Sequence, residues 1–428
     1  MSKIPKGIFS RSVELLKLAT KVGSEELLSR TDAAARQMEQ AKALVDSLGR
    51  LKGAAMKVGQ LLSMDFSDLF PPEVRQVLEQ LQSNSPHFMD ESEVREILQA
   101  ELPEEYAHLE ALSAQPVAAA SIGQVHSAKW RGKDVVLKIQ YPGVSDSIDS
   151  DMALLKGVVH SLVTLSRKKM NLDPLFEEFV RVFKSETDYE AELKNLNLYR
   201  EKMRPYENEY RCPEAYPELS SKKVLGMSFE KGVSLKDWIR EFPSMERREK
   251  MGKRVLNLYT IEFFENAFVQ SDPNPANFMV DSNDRIILLD FGAMKSFSPE
   301  FVTEYTALMA YVGKKDLPAS TFQAEKMNFL SSKEKEETKE LFYHMLRSSL
   351  CAFDSDKQPF DFNDKDYFEG TKVSTRTFGK AAEYSPPPHE IIFLHRKLVG
   401  VFGILRDLGL KLDLSPYWKK VTSKDSRS

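Results

Sequence analysis

Between Ser24 and Met64 the apolar residues return every three or four positions: Ala41, Leu44, Val45, Leu48, Leu51, Ala55, Val58, Leu61 and Leu62. That period places them on one stripe of a helix. Asp68-Leu69-Phe70-Pro71-Pro72 ends the segment, because a proline disfavours helix in the residue before it. Helical patterning resumes over residues 72–82 and 90–102, the latter opening on the cap-like cluster Asp90-Glu91-Ser92-Glu93. From Ala114 the pattern changes: Gln115 to His126 leads into Ser127-Ala128-Lys129-Trp130, a turn over Arg131-Gly132-Lys133-Asp134 and a strand from Val135 to Gln140, a hairpin with loops at both ends. Helical periods return over 151–165 and 172–199, and Lys223 to Gly232 reads as a strand leaving for a glycine turn. Residues 235–268 again read as helix, and Arg285-Ile286-Ile287-Leu288-Leu289 as a short buried strand. The remainder is mostly helical, broken by an acidic, aromatic loop over 353–368. Ser385-Pro386-Pro387-Pro388 starts a last amphipathic helix, and residues 422–428 read as a disordered tail. No repeat of solenoid period is present.

The bulk numbers narrow the class. A chain of 428 residues, 42% hydrophobic and 29% charged, has an ordinary globular composition and room for two or three domains. Its net charge of -4 argues against the broad basic face of a nucleic-acid binder. Cys212 and Cys351 alone make no disulfide framework, which fits a reducing compartment, and the seven histidines lack metal-ligand spacing. No apolar run approaches the ~18 residues that span a bilayer. The longest candidate, Ile391 to Leu410, is broken by His395, Arg396, Lys397, Arg406 and Asp407. The N-terminus lacks a secretory apolar core. Lys3, Lys6, Arg11 and Lys17 among apolar residues suit a solvated helix face first, and after that a membrane-surface contact or a mitochondrial presequence.

The candidate chemistry centres on residues 272–292. Asp272, Asn277 and the Asp290-Phe291-Gly292 that ends an apolar run have the spacing of a phosphoryl-transfer site. One carboxylate handles the nucleophile, while a carboxamide and a second carboxylate hold Mg2+ against phosphates. Upstream, Ala118-Ala119-Ala120-Ser121 precedes a hairpin shaped like a phosphate-covering lid, with alanines where glycines are usual. Lys138 sits on the following strand, where a lysine neutralises α/β phosphates. Such a lysine needs a helix glutamate, and Glu186, Asp188, Glu190 and Glu192 offer four candidates. Lys57 and Gln60, three apart on a helix, share a face that enters a site or simply meets solvent.

Taken together these motifs resemble the UbiB-like (AarF) family of atypical kinases. The match runs through Lys57-x-Gly59-Gln60, the alanine loop with Ile122-Gly123-Gln124-Val125-His126, and Lys138 before Gln140-Tyr141-Pro142-Gly143. It continues through Glu186-x-Asp188 with Glu192, then Asp272-Pro273-x-Pro275-x-Asn277 and Asp290-Phe291-Gly292. The resemblance implies a bilobed, protein-kinase-like α+β fold with an N-terminal helical extension packed over the active site. On that basis residues 1–110 form the extension, 111–232 the N-lobe, 233–420 a helical C-lobe and 421–428 a tail. It implies ATP and Mg2+ as cofactors: Ala118, Ala119, Ala120 and Ser121 form the lid, and Lys138 pairs with Glu192. Asn277 and Asp290 hold the metal, and Asp272 stands where a kinase base stands. Lys57 and Gln60 gate the cleft against Glu186 and Asp188. A lipid or quinone-precursor acceptor, a peripheral membrane contact and ATPase or small-molecule kinase activity in isoprenoid-quinone metabolism follow from the same resemblance. So does a cytoplasmic location, or a mitochondrial one in a eukaryote; no nucleic acid is expected. The family loop is often His-x-Asp-Pro-His-Pro-Gly-Asn, whereas Gln270, Asn274 and Ala276 stand here. That departure keeps a nucleotide-gated pseudokinase scaffold as the alternative.

Overall fold

A computed structural model describes residues 89–120, 122–165, 173–272, 274–382, 384–385 and 389–422. Residues 1–88 of the expected extension, with Lys57 and Gln60, lie outside the described residues, as does Ser121. The chain forms two compact units. The first takes the described residues up to Asn197 together with Glu214–Phe229. The second takes Leu198–Pro213 and the described residues from Glu230 onward.

The first unit opens with α1 (Glu91–Glu101), started by a reciprocal capping box. Asp90 accepts the Glu93 N–H, and the Glu93 carboxylate accepts the Asp90 N–H at 3.1 Å. Its buried face is Val94 and Leu98. Next come β1 (Leu109–Glu110), β2 (Ala118–Ala120), β3 (Gly123–Trp130) and β4 (Lys133–Gln140). The turn between β3 and β4 needs only Arg131 and Gly132, with φ of 49° and 78°. Positive φ at both central positions is what a tight hairpin matched to sheet twist demands. Along β4, Val135, Leu137 and Ile139 are fully buried, so alternation turns Lys138 to the opposite face.

Helices α2 (Val144–Leu165), α3 (Asp173–Glu186) and α4 (Tyr189–Met203) follow. The expected single helix over 172–199 is therefore two. Asp188 breaks it by accepting the Ala191 N–H at 2.9 Å as an N-terminal cap. The Gln140 amide also donates to Thr187 O at 2.7 Å, fixing the break against β4. Beyond β5 (Tyr210–Arg211), which belongs to the second unit, β6 (Val224–Ser228) completes the first unit's sheet in the order β1-β3-β4-β6, with β2 on β3.

In the second unit, β7 (Val233–Ser234) leads into α5 (Leu235–Arg240) and α6 (Met245–Thr260). The continuous helix expected over 235–268 fails twice. Phe242 takes a φ of 50° before Pro243, which separates α5 from α6. Ile261–Glu265 then form a π-helical turn. Strands β8 (Phe268–Gln270), β9 (Phe278–Val280), β10 (Ile286–Leu288) and β11 (Met294–Ser296) are short. β10 is buried throughout, as its unbroken apolar run predicts. They form a four-stranded sheet, β5-β10-β9-β7, and a β8–β11 pair. Helices α7 (Pro299–Gly313), α8 (Leu317–Lys326) and α9 (Glu336–Leu350) pack around Phe263, Leu308, Val312, Phe329 and Leu346. The acidic stretch expected as loop contains β12 (Phe360–Asp361) and the start of α10 (Lys365–Ala381). After α11 (His389–Asp407), β13 (Lys411–Leu412) pairs with β12, and α12 (Ser415–Thr422) closes the described chain.

Candidate functional site

Each unit brings together one set of the residues singled out by sequence. In the first, Lys138 Nζ meets both carboxylate oxygens of Glu192, at 2.8 and 2.9 Å. The lysine is 13% exposed and the glutamate 1%. Burial of this kind holds only when the charges satisfy each other. The ammonium also lies 5.1 Å from the Tyr189 ring centroid. Glu192 and Tyr189 are three apart on α4 and so share its face. Register places Lys138 between Val125 of β3 and Leu225 of β6, in the interior of the sheet.

The alanine segment is a strand. Ala118, Ala119 and Ala120 pair with Val125, Gln124 and Gly123. Gly123 is required by close approach: a Cβ there would stand 2.2 Å from Ile139 O on β4. The same hairpin carries a buried polar chain that sequence did not foresee. Gln124 accepts the Met89 N–H at 3.0 Å, and its Nε2 lies 2.7 Å from His126 Nε2. His126 Nδ1 is 2.8 Å from Ser113 O. A carbonyl requires Nδ1 to carry the proton, so Nε2 accepts from Gln124 and the ring is neutral. Burial lowers the His126 pKa accordingly, against the opposing pull of the Ser113 carbonyl. Of the expected gating acids, Glu186 ends α3 and Asp188 serves as the exposed cap of α4; their partner Lys57 lies outside the described residues.

In the second unit, Asp272 is 8% exposed and its Oδ2 accepts the Asn277 Nδ2–H at 3.0 Å. That bond orients the amide: a carboxylate attracts NH2 and repels the carbonyl, so Asn277 Oδ1 faces away from Asp272. The segment between them is a 3-10 turn, Pro275–Asn277, started by Asn274, whose Oδ1 accepts the Ala276 N–H at 3.0 Å. Ala276 thus sits in right-handed backbone, and alanine fits where the family pattern has glycine. The loop is tied at both ends to the Asp-Phe-Gly stretch. Ser271 N–H and Oγ–H both donate to Ala293 O, at 2.9 and 2.8 Å, and Leu289 N–H donates to Asn277 O at 3.1 Å. Asp290 Oδ1 accepts the Gly292 N–H at 3.0 Å. Backbone pairing therefore sets Asp272, Asn277 and Asp290 on neighbouring loops.

Among the described residues no group of three or more His, Cys, Asp or Glu could cage a metal alone. One carboxylate and one carboxamide oxygen instead suit Mg2+, which keeps waters and shares phosphate ligands. Behind the loop, Lys397 and Glu262 form a buried ion pair at 3.1 Å, with no sequence signal beyond a lysine in an apolar helix. No helix among the described residues is long and apolar enough to cross a membrane.

Comparisons with known proteins place the chain among relatives. Residues 80–321 match the model of the ABC1 atypical kinase-like domain. The Saccharomyces cerevisiae protein named atypical kinase COQ8, mitochondrial, is 28% identical over 88% of this chain and 75% of its own. The rat protein named atypical kinase COQ8B, mitochondrial, is 31% identical over 85% of this chain and 68% of its own. A solved structure, the complex of Rv3197 with erythromycin from Mycobacterium tuberculosis, shares the fold with a TM-score of 0.61. It is 24% identical and covers 92% of this chain and 98% of that one. The chain belongs to the ABC1 atypical kinase-like (UbiB/COQ8) family and carries that family's ATP-binding, kinase-like domain.

Proposed function

We propose that this chain binds Mg-ATP and hydrolyses it, or transfers its γ-phosphoryl group to a small or lipid-like acceptor such as a quinone precursor. The observation that carries the reading is the Lys138–Glu192 pair at 2.8 and 2.9 Å. A cation kept nine-tenths out of water and held by both oxygens of one carboxylate is preset to meet phosphate oxygens. Asn277 Oδ1, turned outward by Asp272, and Asp290 would hold Mg2+, which supplies charge neutralisation at the phosphates. Asp272 would accept or orient the proton of the attacking hydroxyl or water. The β2–β3 hairpin with Ser121 would cover the phosphates, and Lys57 and Gln60 would restrict access opposite Glu186 and Asp188. Isoprenoid-quinone biosynthesis, at a membrane surface, is the setting this reading supports, mitochondrial in a eukaryote and cytoplasmic otherwise.

A second reading is favoured by Gln270 and Asn274, which stand where the family loop often has histidine: a nucleotide-gated scaffold without turnover. Phosphate release decides between them. The full chain with Mg-ATP, with and without vesicles carrying a quinone-precursor-like phenol, is expected to release phosphate, and faster with the phenol. Saturable Mg-ATP binding with no release would select the scaffold. Absence of nucleotide binding would overturn both.

A further inference from the structure

The second unit buries a lysine whose contacts lead to chain neighbours of all three of its candidate site residues. Lys397, on α11, keeps 2% of its side chain exposed, and its partner Glu262 keeps none. Desolvating a charge is costly enough that a buried one is paired and engaged with further polar groups. The ammonium stands 3.1 Å from Glu262 Oε2, donates to Gln270 Oε1 at 3.2 Å and lies 5.5 Å from the Phe278 ring centroid. Glu262 in turn accepts the Tyr199 hydroxyl at 2.6 Å. The Tyr199 ring packs on Phe291, with centroids 5.3 Å apart.

Each group reached adjoins a candidate site residue. Gln270 stands two before Asp272, Phe278 directly follows Asn277, and Phe291 directly follows Asp290. Glu262 owes its position to the π turn Ile261–Glu265, where Asn266 N–H reaches back five residues to Ile261 O at 2.9 Å. The extra residue in that turn rotates Glu262 out of the phase set by α6, and such turns concentrate at functional sites.

We propose that Lys397 is a positioning residue, a single cation that fixes Asp272, Asn277 and Asp290 relative to one another from behind. It turns the Gln270 amide oxygen inward, holds the ring beneath Asn277 and, through Glu262 and Tyr199, holds the ring beside Asp290. Without it the Gln270 amide loses its preferred orientation and Tyr199 loses an anchored partner. The segments carrying Asn277 and Asp290 then lose their common support. The proposal rests on the nucleotide reading above for its functional consequence, but its structural content does not.

The test uses the full chain with Lys397→Met and with the double substitution Lys397→Met/Glu262→Gln, which removes both charges and keeps an acceptor for Tyr199. Hydrogen exchange is read in the absence of nucleotide over residues 268–280 and 288–296. ATP affinity is read with and without Mg2+. The expected result is faster exchange in both segments and Mg-ATP affinity about tenfold weaker, the size of effect that outer-shell partners have on metal sites. ATP affinity without Mg2+ should be unchanged. The double variant should regain the parent's melting temperature yet keep both defects; if Lys397→Met alone does not fold, it decides the matter. A double variant with the parent's exchange and Mg-ATP affinity would reduce Lys397 to a counter-charge for Glu262 and overturn the proposal. A parent that binds no Mg-ATP would sink the nucleotide reading, and exchange alone would then judge the lysine: unchanged segments would end this claim as well.

Discussion

Asn277 shows how one hydrogen bond gives a side chain a chemical direction. Its NH2 is committed to Asp272 at 3.0 Å, so its oxygen is the group left to face a cation in the proposed site. Asp290 offers a harder, charged oxygen, and losing that charge weakens the attraction for Mg2+ without removing bulk. Asp290→Asn should therefore weaken Mg-dependent nucleotide binding at least about tenfold, the low end of what loss of a metal's outer-shell partners does. The fold should be retained. A thermal-shift titration checks this, and equal stabilisation of parent and variant by Mg-ATP would remove Asp290 from the metal site. At this scale the sequence was legible where chemistry restricts residue type: Lys138, Asp272, Asn277 and Asp290 could be picked out by spacing and resemblance. The choice of Glu192 among four acids was not legible from periodicity. It depends on the helix break before α4, which uses Asp188 as a cap and turns Glu192 inward to 1% exposure. Gln270 and Lys397 were illegible as a pair because 127 residues separate them.

Strand β3 illustrates what an element does with a polar residue at an inward position. Gln124 and His126 both point into unit one and are fully buried, and they survive there because each satisfies the other and the backbone at Met89 and Ser113. Protonating His126 would oppose two donors at Nε2, consistent with a pKa lowered by burial from 6.5. The sign of the pH effect follows. A histidine with a depressed folded pKa contributes stability that is fully present above 6.5 and is lost as pH falls through the unfolded value toward the folded one. Melting followed from about pH 7.5 to about pH 5.5 should show a steeper loss in the parent than in His126→Asn, whose NH2 can still reach Ser113 O. Parallel curves would mean that His126 does not titrate in this window. The element boundaries that sequence misplaced share a cause. Both long helical patterns, 172–199 and 235–268, keep their apolar period across a break that tertiary contacts impose. A side-chain cap and a Gln140 amide end one; a left-handed Phe242 and a π turn end the other.

For the molecule as a whole, the α+β kinase-like class was legible through the ordered motifs that carry the family resemblance, from the alanine segment to Asp290-Phe291-Gly292, with the β3–β4 hairpin ahead of a long run of helices. The short strands β8, β11, β12 and β13 were not, since two or three residues carry no period. The N-terminal motif is where sequence still carries the argument by itself. Lys57 and Gln60 lie three apart on an amphipathic pattern, and Glu186 and Asp188 offer opposite charge. Asp188 is exposed and Glu186 half-buried. An exposed pair would contribute only ~0–1 kcal/mol, whereas a partly desolvated one is stronger. If Lys57 closes on these acids, Lys57→Ala should raise hydrogen exchange over residues 50–64 and over 186–192, and admit larger acceptors. Lys57→Glu should raise it further, because like charges then face each other. A solvated helix face instead confines any change to the mutated turn. Exchange mass spectrometry on the three proteins separates the cases: protection unchanged at 186–192 in both variants would mean that the extension does not gate the site.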